Sequence, residues 1–262
     1  MCCASTGNDY TLGPFPIPVV LDPGGGSNRY RLDTPLGRGR YGEVFEAVRV
    51  EDHTAWAVKV LPRTRGPREA AAQSLYPYTQ DNLHRPHPNL VHLEDAFTIG
   101  ERFYIAMELC DGSLDHFIAN GDYDPHTWLL PIARQVLGGL AKIHAAGAVH
   151  CDLHGRNVLY AANPDGTPTF KVSDLGQRVR WYPVEGEPQP EKIQHDIRAA
   201  AALLTEVALG DVLYSGAEGH LHRLPELVAD ALRDGFHDGY DGEGGATDLL
   251  TAVEETCLIE GW

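Results

Sequence analysis

Lysine is scarce in this chain. It stands only at positions 59, 142, 171 and 192, and arginine carries the rest of the positive charge. Basic residues number 21 against 37 acidic ones, for a formal charge of −16. A surface with that balance repels a polyanion, which argues against a nucleic-acid partner. Cysteine is also sparse: Cys2, Cys3, Cys110, Cys151 and Cys257 make an odd count with no C-x-x-C spacing. That excludes a disulfide framework and a zinc cluster, and a reducing, cytoplasmic setting is expected. No apolar run approaches the roughly 18 residues needed to span a bilayer, so no membrane span is expected. The N-terminus lacks the basic and apolar regions of a signal peptide. Cys2-Cys3 offers only a weak lipidation pattern. There is no internal repeat. The acidic, glycine-rich stretch Asp234 to Gly245 lacks the residue order of a calcium loop and reads as a solvated loop.

What is present suits one large domain or two joined lobes: 262 residues, of which 43% are hydrophobic. Residues 1–28 are rich in Pro, Gly and Ser and read as a mobile tail or a loosely docked strap. From Tyr30 to Val60, short runs alternate at strand period and are split by glycines and by Glu51-Asp52-His53. Arg68 to Leu75 is helix-prone. Leu90 to Phe97 and Arg102 to Leu109 read as two more strands. Past Gly112 the pattern becomes helical. Leu129, Ala133, Val136, Leu137, Leu140 and Ile143 recur at helical spacing, and Gly147 follows where a helix would end. Asn163-Pro164-Asp165-Gly166 predicts a hairpin turn. Ile197 to Leu209, Leu224 to Leu232 and Ala246 to Glu255 predict further helices. The seam between the two characters falls near Cys110 to Ser113.

Four constellations carry chemistry, and their order matters more than any one of them. The first is Gly37-Arg38-Gly39-Arg40-Tyr41-Gly42-Glu43-Val44. Glycines let the backbone approach phosphate oxygens closely, although a plain glycine-rich hairpin has the same pattern. Its place between two strands disfavours a dinucleotide-binding helix turn. The second is Ala57-Val58-Lys59-Val60, where a lysine in an apolar strand asks for an anion. The 15 positions from Val44 to Lys59 suit two adjacent strands and a turn. The third is His150-Cys151-Asp152-Leu153-His154-Gly155-Arg156-Asn157. Its Asp can take a proton from a substrate hydroxyl, and its Asn oxygen can ligate Mg²⁺. The fourth is Phe170-Lys171-Val172-Ser173-Asp174-Leu175-Gly176, a strand-end carboxylate suited to a hard cation or simply to a turn.

In this order the four resemble the protein-kinase signature set, together with His87-Pro88-Asn89-Leu90-Val91, Met107-Glu108-Leu109 and Asp196-Ile197-Arg198-Ala199. The resemblance runs from about Tyr30 to Leu209 and is to soluble bacterial-type Ser/Thr protein kinases. It implies an α+β, bilobal fold: a small β-rich N-lobe over 29–109 and a larger, mainly helical C-lobe over 110–262. It implies ATP and Mg²⁺ (or Mn²⁺) as cofactors and a protein as acceptor. Gly37, Gly39 and Gly42 would cover the ATP phosphates and Lys59 would hold them. Leu36, Val44, Ala57 and Leu159 would sandwich the adenine. Met107 would take the gatekeeper position, and Glu108 to Cys110 would bond the base. Asp152 would orient and deprotonate the acceptor hydroxyl, Asn157 and Asp174 would hold the metal, and Asp196 would brace the catalytic loop. Glu69 would orient Lys59, with Gln73 as the fallback.

The chain departs from the family in places. Cys151 replaces the arginine that usually precedes the catalytic Asp. Only 22 positions separate Asp174 from Asp196, and no Ser or Thr lies between them, with Tyr182 the sole hydroxyl. The A-P-E element is missing. These departures agree in predicting activity without activation-segment phosphorylation. His154 replaces a lysine, and H-x-D-L-H-x-x-N also resembles small-molecule kinases of the aminoglycoside and choline type. A small-molecule acceptor and a non-catalytic scaffold are therefore the alternatives. Retention of Lys59, Asp152, Asn157 and Asp174 argues against the scaffold.

Overall fold

The computed structural model describes residues 17–39, 42–61, 87–100, 102–146, 148–174, 190–213, 215–237 and 245–262. The chain divides into two compact units, Met1–Ala72 with Leu93–Leu109, and Gln73–His92 with Cys110–Trp262.

The first unit is a six-stranded sheet in the order β1-β2-β3-β4-β6-β5. Its strands are β1 (Val19–Leu21), β2 (Tyr30–Gly39), β3 (Gly42–Arg49), β4 (Ala55–Leu61), β5 (Leu93–Ile99) and β6 (Arg102–Met107), with every neighbouring pair antiparallel. Side chains alternate between faces along a strand. Leu32, Phe45, Ala47, Val58, Val60, Tyr104 and Ala106 accordingly share one buried core with Tyr30 and Phe97. Phe97 stacks between Tyr30 and Tyr104, with centroids 5.8 and 5.4 Å away. Outside this core, Arg49 pairs with Asp52 and Glu94 and lies over the Trp56 ring. Part of the stretch expected as a tail or strap is strand: β1 pairs with β2, and Leu21 enters the core.

The second unit opens with β7 (Gly112–Ser113) and α1 (Leu114–Ile118), followed by α2 (Pro125–Ala145). A 3-10 turn (Gly155–Asn157) leads into β8 (Val158–Ala162) and β9 (Pro168–Val172). Then come α3 (Pro190–Leu209), a 3-10 helix (Ala217–Arg223), α4 (Glu226–Phe236) and α5 (Gly245–Glu260). Helix α2 starts on an Asp124 cap, whose side chain accepts the His126 N–H, with Pro125 in the first turn. Its stripe of Leu129, Ile132, Ala133, Val136, Leu137, Leu140 and Ile143 is fully buried, and the helix packs against α3, α5 and β9. Each fully buried Leu or Ile there contributes about 1.5–3 kcal/mol, largely offset by the entropy of ordering the chain. The hairpin turn expected at Asn163 is present: Gly166 N–H donates to the Asn163 carbonyl at 2.8 Å, and Gly166 takes φ of 86°.

The run Leu90 to Phe97, expected as one strand, is two pieces. Leu90 bridges Val172 in parallel, while β5 begins at Leu93 in the other unit. Asn89 enforces the split. Its Nδ2 donates to the Phe170 carbonyl (3.0 Å) and to Gln135 Oε1 (3.2 Å), and its carbonyl accepts the Val172 N–H at 2.9 Å. Gly139 of α2 lets this segment in, because a Cβ there would lie 2.6 Å from the Asn89 carbonyl oxygen. No helix among the described residues is long and apolar enough to cross a membrane.

Candidate active site

Strand register gathers the candidate residues of the first unit on one face of its sheet. Val44 lies opposite Lys59, so the 15-position spacing is that of direct cross-strand partners. Ala57 lies opposite Met107, and Lys59 also lies opposite Ile105. Cross-strand partners share a face. Val44, Ala57, Lys59, Ile105 and Met107 therefore line the face of the sheet away from its aromatic core. Lys59 is only 6% exposed, flanked on that face by the apolar Val44 and Ile105. An ammonium so buried is costly unless an anion meets it.

The three loop glycines differ in why they are glycine. A Cβ on Gly42 would lie 2.2 Å from the Val60 carbonyl oxygen, so β4 itself demands glycine there. At Gly37 and Gly39 no described atom lies within 4 Å of the Cβ position. Those two are bare toward open space, where an incoming group has room. Leu36, beside them, is 49% exposed. Glu108 is half-buried just past β6, and Cys110 begins the second unit.

The second unit arranges its own candidate residues around Asp196 of α3. That carboxylate is fully buried, and it accepts the His150 N–H on Oδ2 and the Cys151 N–H on Oδ1, both at 2.6 Å. His144 of α2 approaches Oδ2 at 3.0 Å. Burial alone would raise this carboxyl. The contacts with His144 and, at 3.9 Å, His195 outweigh it and hold the group well below the usual carboxylate range. The bracing fixes Cys151 at φ 61°, a strained conformation for a residue with a side chain.

From there the bonds run forward. His150 Nδ1 accepts the Asp152 N–H (3.2 Å), so its Nε2 carries the hydrogen and donates to the Ser173 carbonyl at 2.8 Å. Asn157 Nδ2 donates to the Asp152 carbonyl at 2.9 Å. Ser173 donates both its N–H (2.8 Å) and its Oγ–H (2.9 Å) to the Asn157 carbonyl. Asp174 follows at φ 60°, a second strained position. Thus Asp152 and Asn157 belong to one hydrogen-bonded web, with His150 and Ser173 as its joints, and Asp174 directly follows Ser173. Asn157 spends its N–H on Asp152, which leaves its carboxamide oxygen as the donor atom for a cation.

His154 is half-buried within this loop. Burial pushes its imidazole below the usual histidine range, opposed by the carboxylates of Asp152 and Asp115. Its Nδ1 meets no hydrogen-bond partner among the described residues. Leu159 lies on β8 opposite Ser113 and Lys171.

The protein kinase domain family matches residues 30–185. The chain belongs to the protein kinase family. Similar kinases include calcium-dependent protein kinase 10 of Arabidopsis thaliana, 30% identical over 192 residues, which are 67% of this chain and 33% of that protein. Serine/threonine-protein kinase 33 of Bos taurus is 28% identical over 182 residues, 66% of this chain and 37% of that protein. The chain thus spans about a third of the length of the curated relatives it matches. In three dimensions it resembles the PknI kinase domain of Mycobacterium tuberculosis, with TM-score 0.63 and 20% identity over 86% of this chain and 95% of that one. The fold is therefore the bilobal α+β kinase fold, with a β-sheet N-terminal region and a helical C-terminal part.

Of the residues expected from this kinase's sequence, Glu69, Gln73 and the segment 175–189 lie outside the described residues. Asn89 and Ser173 stand in motifs of the sequence that assign them no role, and His144 stands in none; all three hold the loops in place. His144 is simply a histidine on the apolar face of α2.

Proposed function

We propose that this chain transfers the γ-phosphoryl group of ATP to a serine or threonine hydroxyl of a protein, and that it does so without a phosphate on its own activation segment. One observation carries the reading. The web from Asp196 to Ser173 runs through the backbone of Asp152 and the carboxamide of Asn157 and ends at the residue before Asp174, on two loops tied together. Phosphoryl transfer is mostly positioning and charge stabilisation, and this web supplies positioning.

In this reading Asp152 orients the acceptor hydroxyl and takes its proton. Asn157 and Asp174 would hold Mg²⁺ or Mn²⁺, which neutralises phosphate charge when bound. The donor set fits such a hard cation, which takes one or two protein oxygens and fills its other positions with water and phosphate. Lys59 would meet the phosphates, beneath a loop whose bare Gly37 and Gly39 leave them room. Leu36, Val44, Ala57, Met107 and Leu159 would enclose the base, and Glu108 to Cys110 would bond it. The kinase-like domain spans 29–262, with lobes at 29–109 and 110–262. The free thiols Cys110, Cys151 and Cys257 suit a cytoplasmic enzyme.

The two kinds of loop glycine separate in a pair of variants. Gly42→Ala should cost about 1–3 kcal/mol of stability, because β4 must shift. Gly37→Ala should leave the melting temperature in place and raise KM for ATP. A normal KM in a stable Gly37→Ala protein would remove that loop from the nucleotide site.

Activation independence has its own test. Cys151 stands where the family reads an activation phosphate, and 175–195 contains no Ser or Thr. Phosphatase-treated protein should turn over at the untreated rate, and mass spectrometry should find no phosphate in 175–195 on active protein. A phosphate there that turnover requires would overturn the reading. A second reading, a small-molecule acceptor, is favoured by His154 and by the missing A-P-E element of a peptide platform.

A further inference from the structure

We propose that Arg156 is a specificity-determining residue that selects acceptors carrying an anionic side chain beside the hydroxyl to be phosphorylated. The inference rests on the protein-phosphotransfer reading and names its substrate class.

Arg156 lies in the 3-10 turn Gly155–Asn157, four residues past Asp152, with its side chain exposed. Its neighbour Asn157 turns inward to the Asp152 carbonyl. The other described arginines are already engaged. Seven pair with a carboxylate within 3.6 Å. Arg102 hydrogen-bonds Tyr104, and Arg198 donates to the Phe236 carbonyl. Arg156 makes no hydrogen bond or ion pair with any described residue. In a chain of charge −16, Arg156, four positions from the proposed catalytic Asp, has no carboxylate partner among the described residues and stands apart from the seven arginines that do.

None of the described carboxylates nearby bonds Arg156. Asp115 of α1 is wedged over the catalytic loop, where a Cβ on Gly155 would overlap its Oδ1. It attracts Arg156 and His154 without bonding either. Behind it Glu206 of α3 is buried and accepts the Leu213 N–H at 3.0 Å, while Asp211 pairs with Arg223. None of them neutralises the guanidinium at contact distance. The planar fork of a guanidinium matches a carboxylate or a phosphate with two parallel hydrogen bonds. The remaining surface repels an acidic acceptor at long range, so such a site acts at short range, on residues next to the reacting hydroxyl.

The test is a peptide set with one serine flanked by aspartate, phosphoserine, alanine or arginine, assayed with wild-type enzyme and with Arg156→Ala, Arg156→Lys and Arg156→Glu. Thermal melts show that each variant folds. Wild type should favour the aspartate flank over alanine by roughly fivefold in kcat/KM, and the doubly charged phosphoserine flank by more. The preference should narrow in high salt. Arg156→Lys should keep most of it, Arg156→Ala should flatten it, and Arg156→Glu should turn it toward the arginine flank. A wild-type preference for arginine, or a preference unchanged in the Ala and Glu variants, overturns the inference while leaving the kinase reading intact. No transfer to any peptide overturns both.

Discussion

Asp152→Asn is expected to lower kcat at least ~10²-fold and up to ~10⁴-fold, with the melting temperature unchanged. The expectation follows from how Asp152 is held. Its backbone makes the structural bonds: the N–H donates to His150 Nδ1, and the carbonyl accepts from Asn157. The side chain carries neither of these bonds, and a carboxamide keeps the shape of a carboxylate, so the exchange leaves the loop in place and removes the proton acceptor. KM for ATP should change little, because this group serves the acceptor hydroxyl. Initial rates at saturating ATP, with melts run alongside, check both halves. An unchanged rate would remove Asp152 from the role of general base.

Asp196→Ala should act in the opposite sense, through the fold. The side chain satisfies the His150 and Cys151 N–H groups and faces His144, all inside the protein. Truncating it strands two buried donors and a buried histidine, at a cost of about 3–5 kcal/mol. It also frees Cys151 from its strained φ, so the loop carrying Asp152 loses its geometry. Chemical denaturation should show the loss, and activity should fall even where the variant remains folded. Asp196→Asn keeps one acceptor oxygen and should lose less. The pH dependence has a definite sign. The folded-state pKa of Asp196 lies below the unfolded value of about 3.9. The unfolded chain therefore takes up the proton first as pH falls. The stabilisation is complete above about pH 4 and is lost as pH drops toward the folded-state pKa. The Ala variant should lack this acid-side loss, and an equal loss in both proteins would place the source elsewhere.

Local patterns were legible where they repeat. Period-2 alternation marks β3 and β4, and the 15 positions from Val44 to Lys59 suit a hairpin, in which the position numbers of facing residues have a constant sum. The apolar stripe of α2 is equally plain, and so is the turn at Asn163. Elements of two to five residues, such as β1, β7 and α1, are too short to show a period. The split at Leu90 is not local at all, since it depends on Asn89 reaching Phe170 and Gln135, 81 and 46 positions away. The same holds for His144, whose partner Asp196 is 52 positions on. The candidate site was legible as an order of motifs. What holds it, His150 to Ser173 and Asp196 to the loop backbone, is tertiary and appears only in the fold. His154 shows the gap clearly. Sequence marks it as a histidine where a lysine is usual, and only its burial gives the direction in which its protonation shifts.

The central claim is transfer of the γ-phosphoryl group of ATP to a protein hydroxyl. Purified enzyme incubated with γ-labelled ATP and Mg²⁺ tests it most directly, with a generic protein acceptor and a metabolite extract supplied in parallel. The account predicts label on serine or threonine of a protein, and loss of that label in Asp152→Asn. Label appearing only in a metabolite, or in nothing at all, would contradict it.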